Sequence, residues 1–208
     1  MPGAMIIEGN LDRNRFEEAF KTLVKRHETL RTSFMTINGE IVQVVKDSID
    51  FEVEYLRPEL INQSEEETIR DLMEDFVRPF DLGTAPLLKV GLAELGKDRH
   101  IMMFDMHHII SDGTSMAILV REIIELYNGK TLPTLRIQYR DFSEWQNRML
   151  HSETIKKQEE YWLKRFAGEI PLLDMPCDYP RPAVKSFAGD KLDFVIDNLK
   201  LLGSKGTT

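Results

Sequence analysis

The sequence has one cysteine among 208 residues, Cys177, so an internal disulfide is excluded. A lone thiol in a Met-rich chain fits a reducing compartment, and the cytoplasm is the expected location. No apolar run approaches the length needed to cross a bilayer. The first residues, Met1-Pro2-Gly3-Ala4, lack the basic segment and apolar stretch of a secretion signal. Basic residues are the minority: 27 Lys and Arg against 35 Asp and Glu leave a net charge of −8. An acidic chain without a basic block is poorly suited to nucleic acid or to anionic membrane surfaces, and neither is expected as a partner. Internal repeats and low-complexity tracts are also missing. What remains is 42% hydrophobic and 30% charged, an ordinary globular composition with length for one good core.

The pattern along the chain alternates strands and helices. Ile6 and Ile7 mark a first strand that ends at Gly9-Asn10. Asp12 is a helix N-cap, and Phe16, Ala19, Phe20, Leu23, Val24 and His27 recur at helical spacing as far as about Glu28. Leu30 to Ile37 and Glu40 to Lys46 read as a hairpin about Asn38-Gly39. Phe51, Val53 and Tyr55 alternate with acids as a third strand. Ser64-Glu65-Glu66-Glu67 is a capping box, followed by a helix through Phe76 that Pro79 ends. Strands are expected over Leu87 to Leu95 and His100 to His107. After Gly113, the positions Met116, Leu119, Val120, Ile123, Ile124 and Tyr127 define an amphipathic helix, with Gly129 just past its end. Asp141 is the expected N-cap of a helix carrying Phe142 and Trp145, and another helix is expected over about Lys156 to Phe166. Pro171, Pro176, Pro180 and Pro182 mark a linker, and Leu192, Phe194 and Ile196 a last strand. Strands followed by packing helices imply an α/β sandwich with a mixed sheet.

Chemistry concentrates at Met106-His107-His108-Ile109-Ile110-Ser111-Asp112-Gly113, between a strand and a helix, where backbone N–H groups are free. Neighbouring side chains on a strand point to opposite faces, so one histidine is free to act and the other packs. Asp112, if buried, needs a cation or several N–H donors. The Gly113 N–H, opening the helix, is a candidate oxyanion donor. The competing reading is a hydrogen-bonded core pair with no chemical role. A metal site is not expected, because His27, His100 and His151 show no ligand spacing. Ser111 and Ser115 lack the strained elbow of a serine nucleophile.

The segment from His107 to Gly113 resembles the HHxxxDG signature of nonribosomal peptide synthetase condensation domains, which have the chloramphenicol-acetyltransferase-like fold. Arg26-His27-Glu28-Thr29-Leu30-Arg31-Thr32-Ser33-Phe34 is similar to the family's RHExLRTxF segment. Tyr139-Arg140-Asp141-Phe142-Ser143-Glu144-Trp145 resembles its YxDYxxW segment. Arg78 to Leu82 and Pro86 to Leu88 also fit, in family order.

The resemblance implies an α/β two-layer sandwich with a mixed sheet. The family's first motif is missing before Met1, and its last three belong to a second lobe expected beyond Thr208. Residues 1–180 are therefore expected to be the N-terminal lobe. Residues 181–208 are expected to form a linker, a strand and the start of a crossover to the other lobe. The implied reaction is amide-bond formation, in which an aminoacyl amine attacks an acyl or peptidyl thioester. Both substrates ride on phosphopantetheine arms of donor and acceptor carrier proteins, so no cofactor is expected to bind the domain itself. Neighbouring synthetase domains and the second lobe are the other implied partners. Half of the reaction channel would be absent, so the chain alone is expected to be inactive.

The resemblance also assigns roles. His108 is the catalytic residue and Gly113 the backbone oxyanion donor, with His107, Asp112, Arg26 and Arg31 as structural support. Asp112 is expected to pair with an arginine, Arg26 in preference to Arg31. The alternative is that both arginines cap the helix ending near Glu28 or face solvent. His27 is expected to be core, and Tyr139 and Trp145 to pack on the central helix. An epimerisation domain shares the His-His-Asp-Gly pattern but follows the glycine with a bulky Trp-Arg-type stretch, whereas Thr114-Ser115-Met116-Ala117 stands here. A non-catalytic carrier-docking module, or an acyltransferase using coenzyme A, are the remaining alternatives.

Overall fold

A computed structural model describes residues 1–58, 64–170, 175–180, 182–184 and 186. The chain divides into two compact units, Met1–Lys157 and Gln158–Thr208, and the candidate site lies wholly in the first. In chain order the elements are β1 (Pro2–Glu8), α1 (Arg13–Arg26), a 3-10 turn (Glu28–Arg31), β2 (Thr32–Ile37), β3 (Glu40–Val45), β4 (Glu54–Leu56) and α2 (Glu65–Phe76). Then come β5 (Leu88–Gly96), β6 (Arg99–Met106), a 3-10 turn (His108–Ile110), α3 (Gly113–Tyr127), α4 (Tyr139–Leu150) and α5 (Glu153–Arg165).

The main sheet has the order β1-β6-β5-β4. β6 pairs antiparallel with both β1 and β5, and β4 joins β5 in parallel. The sheet is therefore mixed, as expected. The second sheet is the β2–β3 hairpin, whose turn puts Asn38 at φ 54° and Gly39 at φ 86°, the two left-handed residues that an Asn-Gly hairpin turn requires.

Strand alternation divides the core between the two faces of the main sheet. Leu88, Val90 and Leu92 of β5 and Met102 and Met106 of β6 meet Phe16, Phe20, Leu23 and Val24 of α1, with Met116, Leu119 and Ile123 of α3 packed alongside. On the other face Ala93, Ile101 and Met103 meet Phe76, with Ile69, Leu72 and Met73 of α2 beside it. Phe76 and Met103 have no exposed surface. α1 starts where expected, with the Asp12 carboxylate accepting from the Arg15 N–H at 3.0 Å, and α2 has its complete capping box at Ser64 and Glu67.

Some boundaries differ from expectation. The strand expected from Leu30 begins only at Thr32, because Glu28–Arg31 turn as a 3-10 helix with Leu30 buried. β4 is short: Phe51 and Val53, expected within it, are buried in the core ahead of it. α4 starts at Tyr139, two residues before the expected cap. Gln138 is the N-cap, and Asp141 serves as the third helical residue, accepting from the Gln138 N–H at 2.8 Å. α5 covers Glu153–Arg165 rather than Lys156 to Phe166. The strand expected around Leu192 to Ile196 lies outside the described residues, as does all of the expected crossover 181–208 except 182–184 and Ser186.

Gly91 shows how closely α2 sits on the sheet. A Cβ there would lie 2.8 Å from the Phe76 ring and 3.1 Å from a Leu56 methyl. Gly91→Ala is expected to lower stability by about 1–3 kcal/mol, read as a lower urea midpoint. Gly96→Ala, whose added Cβ meets nothing within 4 Å, should stay within about 0.5 kcal/mol of the parent.

Candidate functional site

The site begins where β6 stops. The β6 ladder runs to Met106, and the next residue, His107, donates its backbone N–H to the Leu87 carbonyl at 3.0 Å. The chain then turns. The His107 ring Nδ1 accepts the Ile109 N–H at 3.1 Å, capping the 3-10 turn, and the ring meets Phe80 edge-on with centroids 6.1 Å apart. His107 is thus held as part of the frame.

His108 is the exposed one of the pair. Its Nδ1 lies 2.7 Å from the Ser111 carbonyl oxygen. A carbonyl only accepts, so Nδ1 carries the hydrogen, and in the neutral ring Nε2 keeps a free lone pair. The ring lines a cavity of about 290 Å³. Ile109, Ser111, Asp112 and Ser115 continue that wall, and Thr29, Thr32, Phe34, Gln43 and Tyr139 complete the lining. Phe34 and Gln43 are cross-strand partners in the β2–β3 hairpin, so one rung of the hairpin faces the histidine.

Asp112 is the N-cap of α3. Its Oδ1 accepts the Ser115 N–H at 2.7 Å and the Ser115 hydroxyl at 2.7 Å. The backbone bond to Ser115, then the hydroxyl bond, hold this carboxyl below the usual carboxylate range. Among the described residues Asp112 pairs with no arginine, which overturns the expected ion pair. The physical reason is local: the open N–H groups at the start of α3 satisfy the carboxylate, and Asp112 is exposed, so no cation is needed.

The two arginines go elsewhere. Arg31 binds backbone carbonyls: Val24 at 3.3 Å, Lys25 at 3.4 Å, Asp47 at 3.2 Å, and Lys46 in a short contact. It caps the end of α1 and ties it to the end of β3, which is the alternative reading for that residue. Arg26 turns to Glu122, with Nε 3.0 Å from Oε2 and Nη2 3.4 Å from Oε1. The His27 Nε2 also donates to Glu122 Oε2, at 2.6 Å. Glu122 is 6% exposed in the middle of α3. Burial pushes its carboxyl up, but the bonds from His27 and Arg26 together outweigh this, and the net shift is downward.

Sequence reasoning missed Glu122. The signal was present, because Ser115, Leu119, Glu122 and Leu126 follow at helical spacing, so an acid lies on the face that packs. His27, expected as a plain core residue, is bonded to that acid. Tyr139, expected to pack on the central helix, lines the cavity together with Ser115 of that helix, and its ring lies 5.7 Å from that of Phe142, which lies 5.6 Å from that of Trp145. Gly113 opens α3 but is not among the residues lining the cavity. As the first helical residue, it has no acceptor for its N–H within the helix. Among the described residues no His, Cys, Asp and Glu side chains are grouped as three metal ligands would be, and no helix is long and apolar enough to cross a membrane.

The family model for the condensation domain matches residues 1–202. The chain is 53% identical over 194 residues to gramicidin S synthase 2 of Aneurinibacillus migulanus, covering 93% of this chain and 4% of that protein. It is 50% identical to tyrocidine synthase 3 of Brevibacillus parabrevis, covering 93% and 3%. The chain therefore spans a small fraction of the curated relatives it matches. Among solved structures, the X-domain in its complex with OxyB from teicoplanin biosynthesis superposes with a TM-score of 0.76 at 26% identity, covering 88% of this chain and 42% of that one. The cyclization-docking bidomain of EpoB from Sorangium cellulosum superposes with a TM-score of 0.70 at 24% identity, covering 86% and 36%; at that identity the likeness shows the fold.

The carboxyl of Asp112 gives a pH test of the site's frame. Its lowered value means that its contribution is complete above the ordinary carboxylate range and is lost as pH falls through the lowered value. Asparagine caps nearly as well but does not titrate. Asp112→Asn is expected to match the parent's denaturant midpoint at pH 7 and to lose less of it on acidification.

Proposed function

Since the chain belongs to the condensation-domain family, we propose that it is the N-terminal lobe, residues 1–180 with a linker and crossover over 181–208, of a domain that forms amide bonds between carrier-bound substrates. The supporting observation is the exposed His108 ring, with Nδ1 bound to a carbonyl and Nε2 directed to no partner among the described residues, on the wall of a cavity.

In this reading the acceptor's free amine attacks the donor's thioester carbonyl. The C–N bond forms, the C–S bond breaks, and the pantetheine thiol leaves. An α-amine has a pKa of about 8 in water, so a useful fraction is already neutral and no strong base is required. His108 orients the amine by a hydrogen bond to Nε2 and takes a proton late, from the positive nitrogen of the tetrahedral intermediate. That proton is then available to the departing sulfur. The Gly113 N–H, beside Asp112 of the cavity wall and without a partner among the described residues, is the proposed donor to the oxyanion. His107, Asp112, Arg26 and Arg31 act as support: His107 caps the 3-10 turn that begins with His108, Asp112 caps α3 after it, and the arginines brace the end of α1.

The phosphopantetheine belongs to the donor and acceptor carriers, and the domain binds no cofactor of its own. The partners in this reading are those carriers, the second lobe and neighbouring synthetase domains, in the cytoplasm. The 208-residue chain covers 42% of the X-domain chain it superposes on, so it is proposed to be inactive alone.

The test uses the complete domain carrying this lobe, with both carriers loaded. His108→Ala should lower product formation about a hundredfold or more while carrier binding is retained. Unchanged turnover would remove the chemical role, and carrier binding without any turnover in the parent domain would favour a docking module. The 208-residue chain assayed alone should yield no amide product, and turnover at the rate of the complete domain would contradict the half-channel reading.

A further inference from the structure

The cavity is walled by three pieces of chain distant in sequence: the stretch after α1 with the β2–β3 hairpin, the turn into α3 with the helix's first residues, and the start of α4. One buried group joins all three. The Glu122 carboxylate takes the Arg26 guanidinium and the His27 ring from the end of α1. Arg26 continues outward, its Nη1 donating to the Pro133 carbonyl at 2.6 Å, and its own carbonyl accepts from Gln138 Nε2 at 2.9 Å. Gln138 Oε1 in turn accepts the Glu28 N–H at 3.2 Å. The braced residues adjoin cavity residues along the chain: Thr29 follows Glu28, and Tyr139 follows Gln138.

The geometry points to Glu122 as a positioning residue, which sets the separation between the His108 wall of the cavity and the walls carrying Thr29 and Tyr139. It does not touch the cavity and acts through Arg26, His27 and Gln138. A buried carboxylate with two cationic or hydrogen-bonding partners is costly to desolvate and is weak evidence for stability as such. What it supplies is registration, because directional bonds tolerate far less sliding than apolar contact. The effect on turnover rests on the reading of the cavity as a reaction site; the effect on geometry does not.

Both are measured. In the 208-residue chain, Glu122→Gln should shift the NMR resonances of the Thr29 and Thr32 amides and of the Tyr139 and His108 rings, and leave those of Leu92 and Ile101 in place. In the complete domain it should lower kcat about tenfold to a hundredfold with the KM for loaded carriers within about twofold, a split that general loss of folded protein would not produce. If Glu122→Gln fails to fold, the combined variant Glu122→Met, Arg26→Met and His27→Phe removes the brace without leaving a buried charge unpaired, and the same resonances and kcat are read there. A folded variant with unmoved Thr29, Tyr139 and His108 resonances would overturn the proposal, as would an unchanged kcat in an active domain. If the parent domain forms no amide product, the reading of its activity fails, and the resonances alone decide the brace.

Discussion

The ladder of β6 governs the site. This strand lies between β1 and β5, so its backbone is paired on both sides and its direction is tightly constrained. Where that pairing ends, at Met106, two histidines follow at once, and the chain must reverse into α3 within six residues. Had the strand continued, His107 and His108 would have faced opposite sides of the sheet. Because it stops, their roles divide by hydrogen bonding: His107 is turned back to cap, and His108 is presented outward with its proton fixed on Nδ1. The sheet supplies rigidity up to the last residue before the chemistry, which is where precise placement matters most.

Around that point the structure satisfies its polar groups in two ways. Asp112 and Ser115 close the open start of α3 with local bonds, between residues three apart. Glu122 makes its bonds at long range, to residues 95 and 96 positions away, and is buried. A local cap orders a single turn. The long-range bonds tie α3 to the end of α1, and through Arg26 to Gln138 at the start of α4.

The arginines of the Arg26 to Phe34 segment illustrate why matching a motif does not settle contacts. Arg26 ends α1 and Arg31, five residues on, ends the 3-10 turn that follows it, and both are candidates for Asp112. Charge alone does not choose among acids; desolvation does. Glu122 is buried and needs a cation, whereas Asp112 is exposed and finds N–H donors in its own helix. Arg31 answers a third demand, the unsatisfied carbonyls where α1 ends.

Periodicity, caps and turn residues determined α1, α2, α3, the Asn38-Gly39 hairpin and the strand–turn–helix around His108, because these depend on neighbours a few positions apart. The same local rules misplaced the start of β2, the extent of β4 and the cap of α4. In each case a buried side chain or a remote hydrogen bond prevailed: Leu30 and Phe51 entered the core, and Gln138 was held by Arg26 and Glu28 from across the fold. Which acid takes Arg26 and which residues face His108 across the cavity were decided only by the tertiary structure. Those outcomes rest on burial and on long-range bonds, and neither is a property of a short stretch of sequence.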